Sequence, residues 1–542
     1  MKEFERVSSA TGKAEFLVIG GGSAGCIMAA RLAEAGHHTV LVEAGPPDRH
    51  PLIHVPAGVR YLHGNPALTW ADTANTGPAA GNRTIPWPHG RVMGGSGSIN
   101  GMIFARGAAA DYDRWAQMGC TGWDYDSVAS SFARMEHYRG APNRSGRGYD
   151  GPLSVEDPRL RLPVTELFLR SAEAAGHRRL EDLNSGDPHG AGLTQMNRFG
   201  RFRGSSARAF LKRGTRTGKL TVLSRTLVRK LLFEGTRCVG AICAQKGKPM
   251  ELKATREVIL CAGAMNSPAL LMRSGIGDAQ ALETLGVESV ADRPEVGNNL
   301  QDHFAVRLSY RLRGVTTIND LARPPRLWGE VLRWLTNGRG VLTTGVTAAQ
   351  VYIKSNPDLV SPDLCLLFSP SSFDRDRFGA LEREPGCLIT VSICSPESRG
   401  RLTLRDADPQ TPPSIDAGYF SAPSDLPVML SGIQAARHIM EHSPIREAIV
   451  EETLPGPDPL EDYIRNNCHT MYHASGTCRM GADPEAVVDP RLRVNGIDGL
   501  RVADASVMPR ISSGNTNAPT MMIAEHGSRL ILDEYGGRTL QA

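Results

Sequence analysis

Residues 15–45 read EFLVIGGGSAGCIMAARLAEAGHHTVLVEAG. A short apolar run gives way to three consecutive glycines, then to an alanine-rich stretch with helical periodicity, then to a second apolar run ending on an acid. That order predicts strand, turn, helix and strand, a βαβ unit. Gly20, Gly22 and Gly25 carry the G-x-G-x-x-G spacing. Missing side chains there permit a tight turn, let backbone amides approach a pyrophosphate, and let the helix lie against the strand. The positive end of the helix suits the phosphates. Glu43 ends the second strand, where a carboxylate can accept both hydroxyls of an adenosine ribose. Dinucleotide binding is the expectation. The same turn also satisfies G-x-S-x-G through Gly21, Ser23 and Gly25, the nucleophile elbow of α/β-hydrolases. Too little chain precedes Ser23 to supply the strands and oxyanion loop that such an elbow follows, which argues against a hydrolase.

Around this unit stands a chain of 542 residues, too long for one ordinary hydrophobic core and better suited to two interleaved domains. Hydrophobic residues make up 41% and charged residues 22%, as in an ordinary globular protein. With 61 Lys and Arg against 57 Asp and Glu, there is no polybasic stripe for a nucleic acid to follow. Ten cysteines are spread singly, without C-x-x-C pairs or zinc-site spacing. A reducing compartment follows as the expectation. The start, MKEFERVSSATGKA, is polar where a secretory segment needs an apolar core, and no run reaches the length of a membrane span. The reading is a cytoplasmic protein with no integral membrane segment and no nucleic-acid partner.

NAD and FAD share the N-terminal fingerprint, so other segments must choose between them. GRVMGGSGSINGMIF at 90–104 is a glycine and serine loop whose small residues let main chain lie along a large planar ligand. VILCAGAMNSPALLMRSGIG at 258–277 reads as an apolar strand, a small-residue turn and a helix started by its proline. GLRVADASVMP at 499–509 places Asp504 at a strand end, where it can hold a ribityl or pyrophosphate group. At these residues the chain resembles the glucose-methanol-choline (GMC) family of FAD oxidoreductases, nearly end to end. The likeness continues in VGNNLQDH at 296–303, SRGRLTLRDADP at 398–409, YHASGTCRMG at 472–481 and GNTNAPTMMIAE at 514–525. The sequence departs from the family in three places. Gly97 stands where members usually carry a second serine and Met93 where Leu or Val is usual; Ile99 stands where some carry a histidine bonded covalently to the flavin. The last departure implies noncovalent FAD.

The resemblance implies an α/β Rossmann-like FAD-binding domain assembled from 1–160, 200–305 and 465–542, the last piece carrying the active site. It implies an α+β substrate domain with an antiparallel sheet from 161–199 and 306–464. The residues of 306–464 agree, with strand-like runs in FAVRLSYRL, AAQVYIK, LCLLFS and CLITVSIC and helical periodicity over 428–440. One face of that sheet is expected to roof the flavin ring. The cofactor residues implied are Gly20, Gly22, Ser23, Ala24 and Gly25 in the fingerprint, Glu43 and Ala44 after the second strand, and Gly95, Asn100 and Gly101 in the glycine loop. Val228, Tyr472, Asp504 and Ala505 complete that set.

His473 matches the family's active-site histidine, whose neutral imidazole can accept the hydroxyl proton of an alcohol while hydride leaves the adjacent carbon for flavin N5. Taken alone, a histidine is more often structural. Asn515 sits where the family carries a histidine or an asparagine, and its amide can steady the oxygen as its proton departs. Asn517 is the better candidate to cap the helix expected from about Pro519, and that helix dipole would favour negative charge on a reduced flavin. His469 and His473 have i, i+4 spacing but no third ligand nearby, so no metal is expected. Cys478 reads as packing. The expected activity is oxidation of a primary, uncharged alcohol to the aldehyde, with oxygen or another acceptor taking the electrons. A lyase of the same fold using His473 as acid or base, and a noncatalytic flavin-binding protein, are the alternatives.

Overall fold

The computed structural model describes residues 14–374, 379–456 and 459–536. The polar N-terminal stretch, up to residue 13, lies outside the described residues.

The βαβ unit forms from strand Ala14–Ile19, helix Ser23–Glu34 and strand Thr39–Val42. The two strands pair in parallel, with Val18 opposite Leu41. Phe16, Leu17 and Val18 are fully buried, as the near-continuous apolar run of a strand covered on both faces requires. Three regions of the chain meet in this one sheet, whose order is Leu220–Leu223, Thr39–Val42, Ala14–Ile19, Lys248–Leu260, Arg237–Gln245 and Thr226–Glu234, with Leu500–Val502 paired to Lys248–Leu260. Strand Lys248–Leu260 does double duty. Its second half pairs in parallel with Ala14–Ile19, while its first half pairs antiparallel with Arg237–Gln245. The parallel members all end on the same edge, so Gly20, Glu43, Cys261 and Ala503 emerge side by side. Ligands in open α/β sheets bind at such carboxyl-terminal edges.

Helix Gly263–Arg273 corrects one expectation: Pro268 sits inside it, not at its first position. An interior proline cannot donate to the carbonyl four residues earlier. Here that carbonyl, of Ala264, accepts a 2.6 Å bond from the Thr477 hydroxyl, so nothing is left unpaired. The C-terminal helix also differs from expectation. It runs Asn517–Tyr535, starting two residues before Pro519, and Asn517 lies within its first turn without capping it. Its side-chain oxygen instead accepts from the Ser23 hydroxyl at 2.8 Å, tying the two helix starts together. Further along, Arg31 donates to Glu525 at 2.7 Å and locks the same two helices.

The second sheet has the order Ala349–Ile353, Leu364–Ser369, Gly386–Ile393, Phe304–Leu312 and Ile449–Leu454, with His469–Thr470 added against Phe304–Leu312. All its pairings are antiparallel. Helix Asp425–Glu441 covers one face. Gly432 permits the contact, since a Cβ there would lie 2.6 Å from Val391 and 2.9 Å from Leu364. Side chains of opposite parity, Leu367, Ser369, Leu388 and Thr390, line a cavity on the other face. Segment 163–193 supplies helix Pro163–Ala174 and strand Gly190–Leu193; in this segment His189 bridges Tyr352 of the sheet's first strand.

Candidate active site

A cavity of about 890 Å³ runs from the carboxyl edge of the first sheet to the open face of the second. At its first end, the wall is mostly backbone. Gly20 has φ +102° and its missing Cβ would fall 2.5 Å from the Cys261 carbonyl. At Gly22 a Cβ would meet nothing closer than 3.9 Å and would project into the cavity instead. Gly95, at φ +54°, brings the 90–104 loop so close that a Cβ would lie 2.7 Å from Gly22 Cα. Gly25 does not line the cavity, contrary to its place among the cofactor residues. A Cβ on it would sit 1.8 Å from the Gly20 carbonyl, so its task is to let the helix lie on the strand. Gly97, the departure from the family pattern, leaves room for Ser23: a Cβ there would be 2.7 Å from Ser23 Oγ. The Ser23 hydroxyl is spent on Asn517 and has no base beside it, so the nucleophile-elbow reading fails.

Glu43 is buried, with Oε2 accepting from Gly21 N at 2.8 Å and Oε1 from Gly45 N at 2.7 Å. Burial pushes its carboxyl up to about 7, against the pull of those two amides. Glu43 borders the cavity together with Ala44 and Val228. Asp504 accepts from Gly263 N, Ser267 Oγ and Ser506 N at 2.6–2.8 Å. Three of its roughly four acceptor sites are thus engaged by the protein, and it chiefly fixes the turn that carries Ala505. Asn100 Oδ1 is likewise occupied, by Met102 N and by Arg203, leaving its amide and Gly101 at the wall. The donor set suits an extended dinucleotide: a helix start for phosphates, a buried carboxylate for a ribose, and a side-chain-free loop for a planar ring.

At the other end, side chains build the wall. His473 follows Tyr472, which has φ +63° and donates its N–H to Thr470 Oγ1 at 2.7 Å. The N–H of His473 donates to Asp302 Oδ1 at 2.9 Å. Asp302 is buried, pushed up to about 7 by that burial, and accepts from the Tyr419 hydroxyl at 2.6 Å. The imidazole is held on both sides. Nδ1 lies 2.9 Å from His303 Nδ1, and Nε2 lies 3.2 Å from Asn515 Nδ2. His303 settles which nitrogen carries the proton. Its Nε2 sits 2.9 Å from the Cys394 carbonyl, which can only accept, so Nε2 is protonated. Burial lowers His303 to about 4, so the ring is neutral and Nδ1 is bare. Nδ1–H of His473 therefore donates to His303, and Nε2 of His473 is left as an acceptor, with the Asn515 amide donating to it. Burial, then the neighbouring His303, holds His473 itself well below the ordinary histidine value.

The motif VGNNLQDH is legible in the sequence, but nothing there assigns Asp302 or His303 a role. The signal was present, a histidine and an acid at the end of a motif, but only the pairing of the strand after His303 with His469–Thr470 brings them to His473. His469, four residues from His473, is not on a helix with it: it lies in a strand opposite Ala305 and bonds weakly to the Asn467 carbonyl.

A family model described as GMC oxidoreductase matches residues 14–305, and a second of the same description matches 396–524. An alcohol dehydrogenase [acceptor] of Pseudomonas putida is 37% identical over 97% of both chains. An oxygen-dependent choline dehydrogenase of Rhizobium etli is 36% identical over 96% of both. The crystal structure of pyridoxine 4-oxidase from Mesorbium loti superposes with a TM-score of 0.86 at 29% identity, covering 95% of this chain and 99% of that one. With two family models spanning most of its length and relatives alike from end to end, the chain belongs to the GMC oxidoreductase family and is an FAD-dependent flavoprotein.

Proposed function

We propose that the protein oxidises a primary alcohol to its aldehyde, with His473 as proton acceptor and Asn515 as the donor that steadies the oxygen. The observation that carries this reading is the pair of contacts on the His473 ring: His303 Nδ1 against its Nδ1, and the Asn515 amide beside its Nε2 at the cavity wall, an arrangement that leaves Nε2 bare. FAD, held noncovalently at the backbone-lined end, would supply the hydride acceptor, with oxygen or another acceptor taking the two electrons. The alcohol O–H gives its proton to Nε2 of His473, so the C–H bond can release hydride. The proton's arrival makes His473 cationic, and neutral His303 shares that charge through the Nδ1 contact. The Asn515 amide, displaced from Nε2 by the substrate, donates to the oxygen as negative charge grows on it. Asp302 holds the His473 backbone and so sets where the ring points.

Gly20, Gly22, Ser23, Ala24, Glu43, Ala44 and Val228 are proposed to hold the adenosine diphosphate half of FAD, and Gly95, Asn100, Gly101, Tyr472, Asp504 and Ala505 its ring and ribityl chain. On this reading the FAD-binding domain is 1–160, 200–305 and 465–542, and segments 161–199 and 306–464 form the substrate domain. A cytoplasmic setting fits ten buried, unpaired cysteines; among the described residues no helix is long and apolar enough to cross a membrane. Anaerobic mixing of the yellow holoprotein with a panel of alcohols tests the reaction: bleaching of the flavin band by a primary alcohol is expected. A flavin that stays oxidised with every alcohol would leave the lyase or noncatalytic reading standing. Acid precipitation that leaves the pellet yellow would overturn noncovalent binding.

A further inference from the structure

We propose that the alcohol carries an anionic group, best a carboxylate, at the end remote from its carbinol, and that Arg307 binds it. The inference rests on the alcohol-oxidising reading above and names its substrate class.

Arg307 lies in strand Phe304–Leu312, opposite Thr390 of the next strand. Both line the cavity. The strand is flanked on both sides in its sheet, yet Arg307 is exposed, because its side chain projects into the cavity rather than into the core. Arg311 of the same strand pairs with Glu451 at 2.5 Å and Glu384 at 3.6 Å. Arg307 has no such partner: among the described residues, no carboxylate lies within ion-pair distance of its guanidinium and no side chain or carbonyl accepts from it. Tyr463 and Tyr472 are the groups whose charge would favour it; Asp374 also faces the cavity but is not among those acting on Arg307. His469, opposite Ala305, is driven down to about 3 by burial and then by Arg307, so it adds no charge. A cavity-facing guanidinium with no carboxylate beside it is free to take its counter-ion from a ligand.

Geometry selects the kind of ligand. His303 immediately precedes the strand, four residues before Arg307, so at ~3.3 Å per residue their Cα atoms are roughly 13 Å apart. His303 touches the proton-accepting His473. A carbinol at His473 and an anion at Arg307 are thus joined by a spacer of several atoms, and Val346, Leu367, Leu388 and Leu454 along the wall suit methylenes. The guanidinium fork matches a carboxylate with two parallel bonds. A quaternary ammonium in the same place would be repelled. On this proposal the substrate is anionic, where the sequence led to the expectation of an uncharged alcohol.

Two readouts on the holoprotein test the proposal. Stopped-flow flavin reduction compares 6-hydroxyhexanoate and 8-hydroxyoctanoate with the 1-alkanols of equal length and with 6-amino-1-hexanol. Calorimetry compares hexanoate with hexanamide, with no turnover. The wild type should prefer the hydroxy acid to the alkanol, and hexanoate to hexanamide, by about tenfold or more, the scale of a charge-assisted hydrogen bond. Arg307→Met should bring both ratios to near one, and Arg307→Lys should keep part of each. A wild-type ratio at or below one, or one that survives Arg307→Met, overturns the proposal and needs no variant beyond a folded, yellow protein. If alkanols bleach the flavin while hexanoate fails to bind, the anion site alone falls. If hexanoate binds through Arg307 while no alcohol bleaches the flavin, the oxidation reading falls and the anion site stands.

Discussion

The two ends of the cavity are made of different material. At the first, contact is backbone against backbone: Gly20 against Cys261, Gly95 against Gly22, Gly25 against Gly20, each so close that one methyl group has no place. At the second, side chains carry the contacts, His473, His303 and Asn515 from loops and Arg307 from a strand, and function lies in which nitrogen bears a proton and which charge is unpaired. The first end should therefore fail all at once when altered, and the second by degrees.

The largest effect is expected at Gly25. Valine there would drive its Cβ to 1.8 Å from the Gly20 carbonyl, so the fingerprint helix must leave its strand. Gly25→Val should yield insoluble or colourless protein, read from the 450 nm band and the soluble fraction. A soluble variant with full FAD would show that the close approach is not what builds this end.

This contrast also explains what the sequence disclosed. Glycine spacing states a backbone demand in the residue names, so Gly20, Gly22 and the βαβ order were legible, as were the strand-like apolar runs that became the second sheet. Pro268 was misplaced because a proline inside a helix depends on a distant hydroxyl, Thr477, to answer the freed carbonyl. Asn517 was misassigned for the same reason, its partner Ser23 being 494 residues away. Arg307 was invisible among the scattered arginines. Only the folded chain shows that it lines the cavity while Arg311, four residues on, pairs with Glu451 and Glu384.

A graded loss is expected at the second end. His473→Ala should fold, stay yellow and reduce its flavin about a hundredfold or more slowly, the usual scale of general-base loss. Asn515→Ala should lose less, since the amide assists but cannot take the proton. Stopped-flow reduction at saturating alcohol measures both; a near wild-type rate in His473→Ala with FAD fully bound would remove His473 from the reaction.

The finest test concerns His303, which sets the proton on His473 without reaching the substrate. In the wild type, burial keeps His473 neutral well below the ordinary histidine value, so its base form persists as pH falls and the reduction rate should stay flat from neutrality down through pH ~6. His303→Ala removes the acceptor for Nδ1–H, lets the ring take the other tautomer, and removes the neighbour that helps hold His473 low. The folded value should rise, with burial alone now holding it down, so the base is lost at a higher pH than in the wild type as pH falls. At neutral pH the expected slowing is several-fold, on the order of tenfold at most, because Nε2 is still bare part of the time. His303→Gln, whose amide oxygen can accept from Nδ1–H, should recover part of the rate. A role confined to packing would lower FAD content or thermal stability and leave the pH profile flat. A flat profile in His303→Ala, with no difference between Ala and Gln, would show that the tautomer of His473 is fixed by something other than His303.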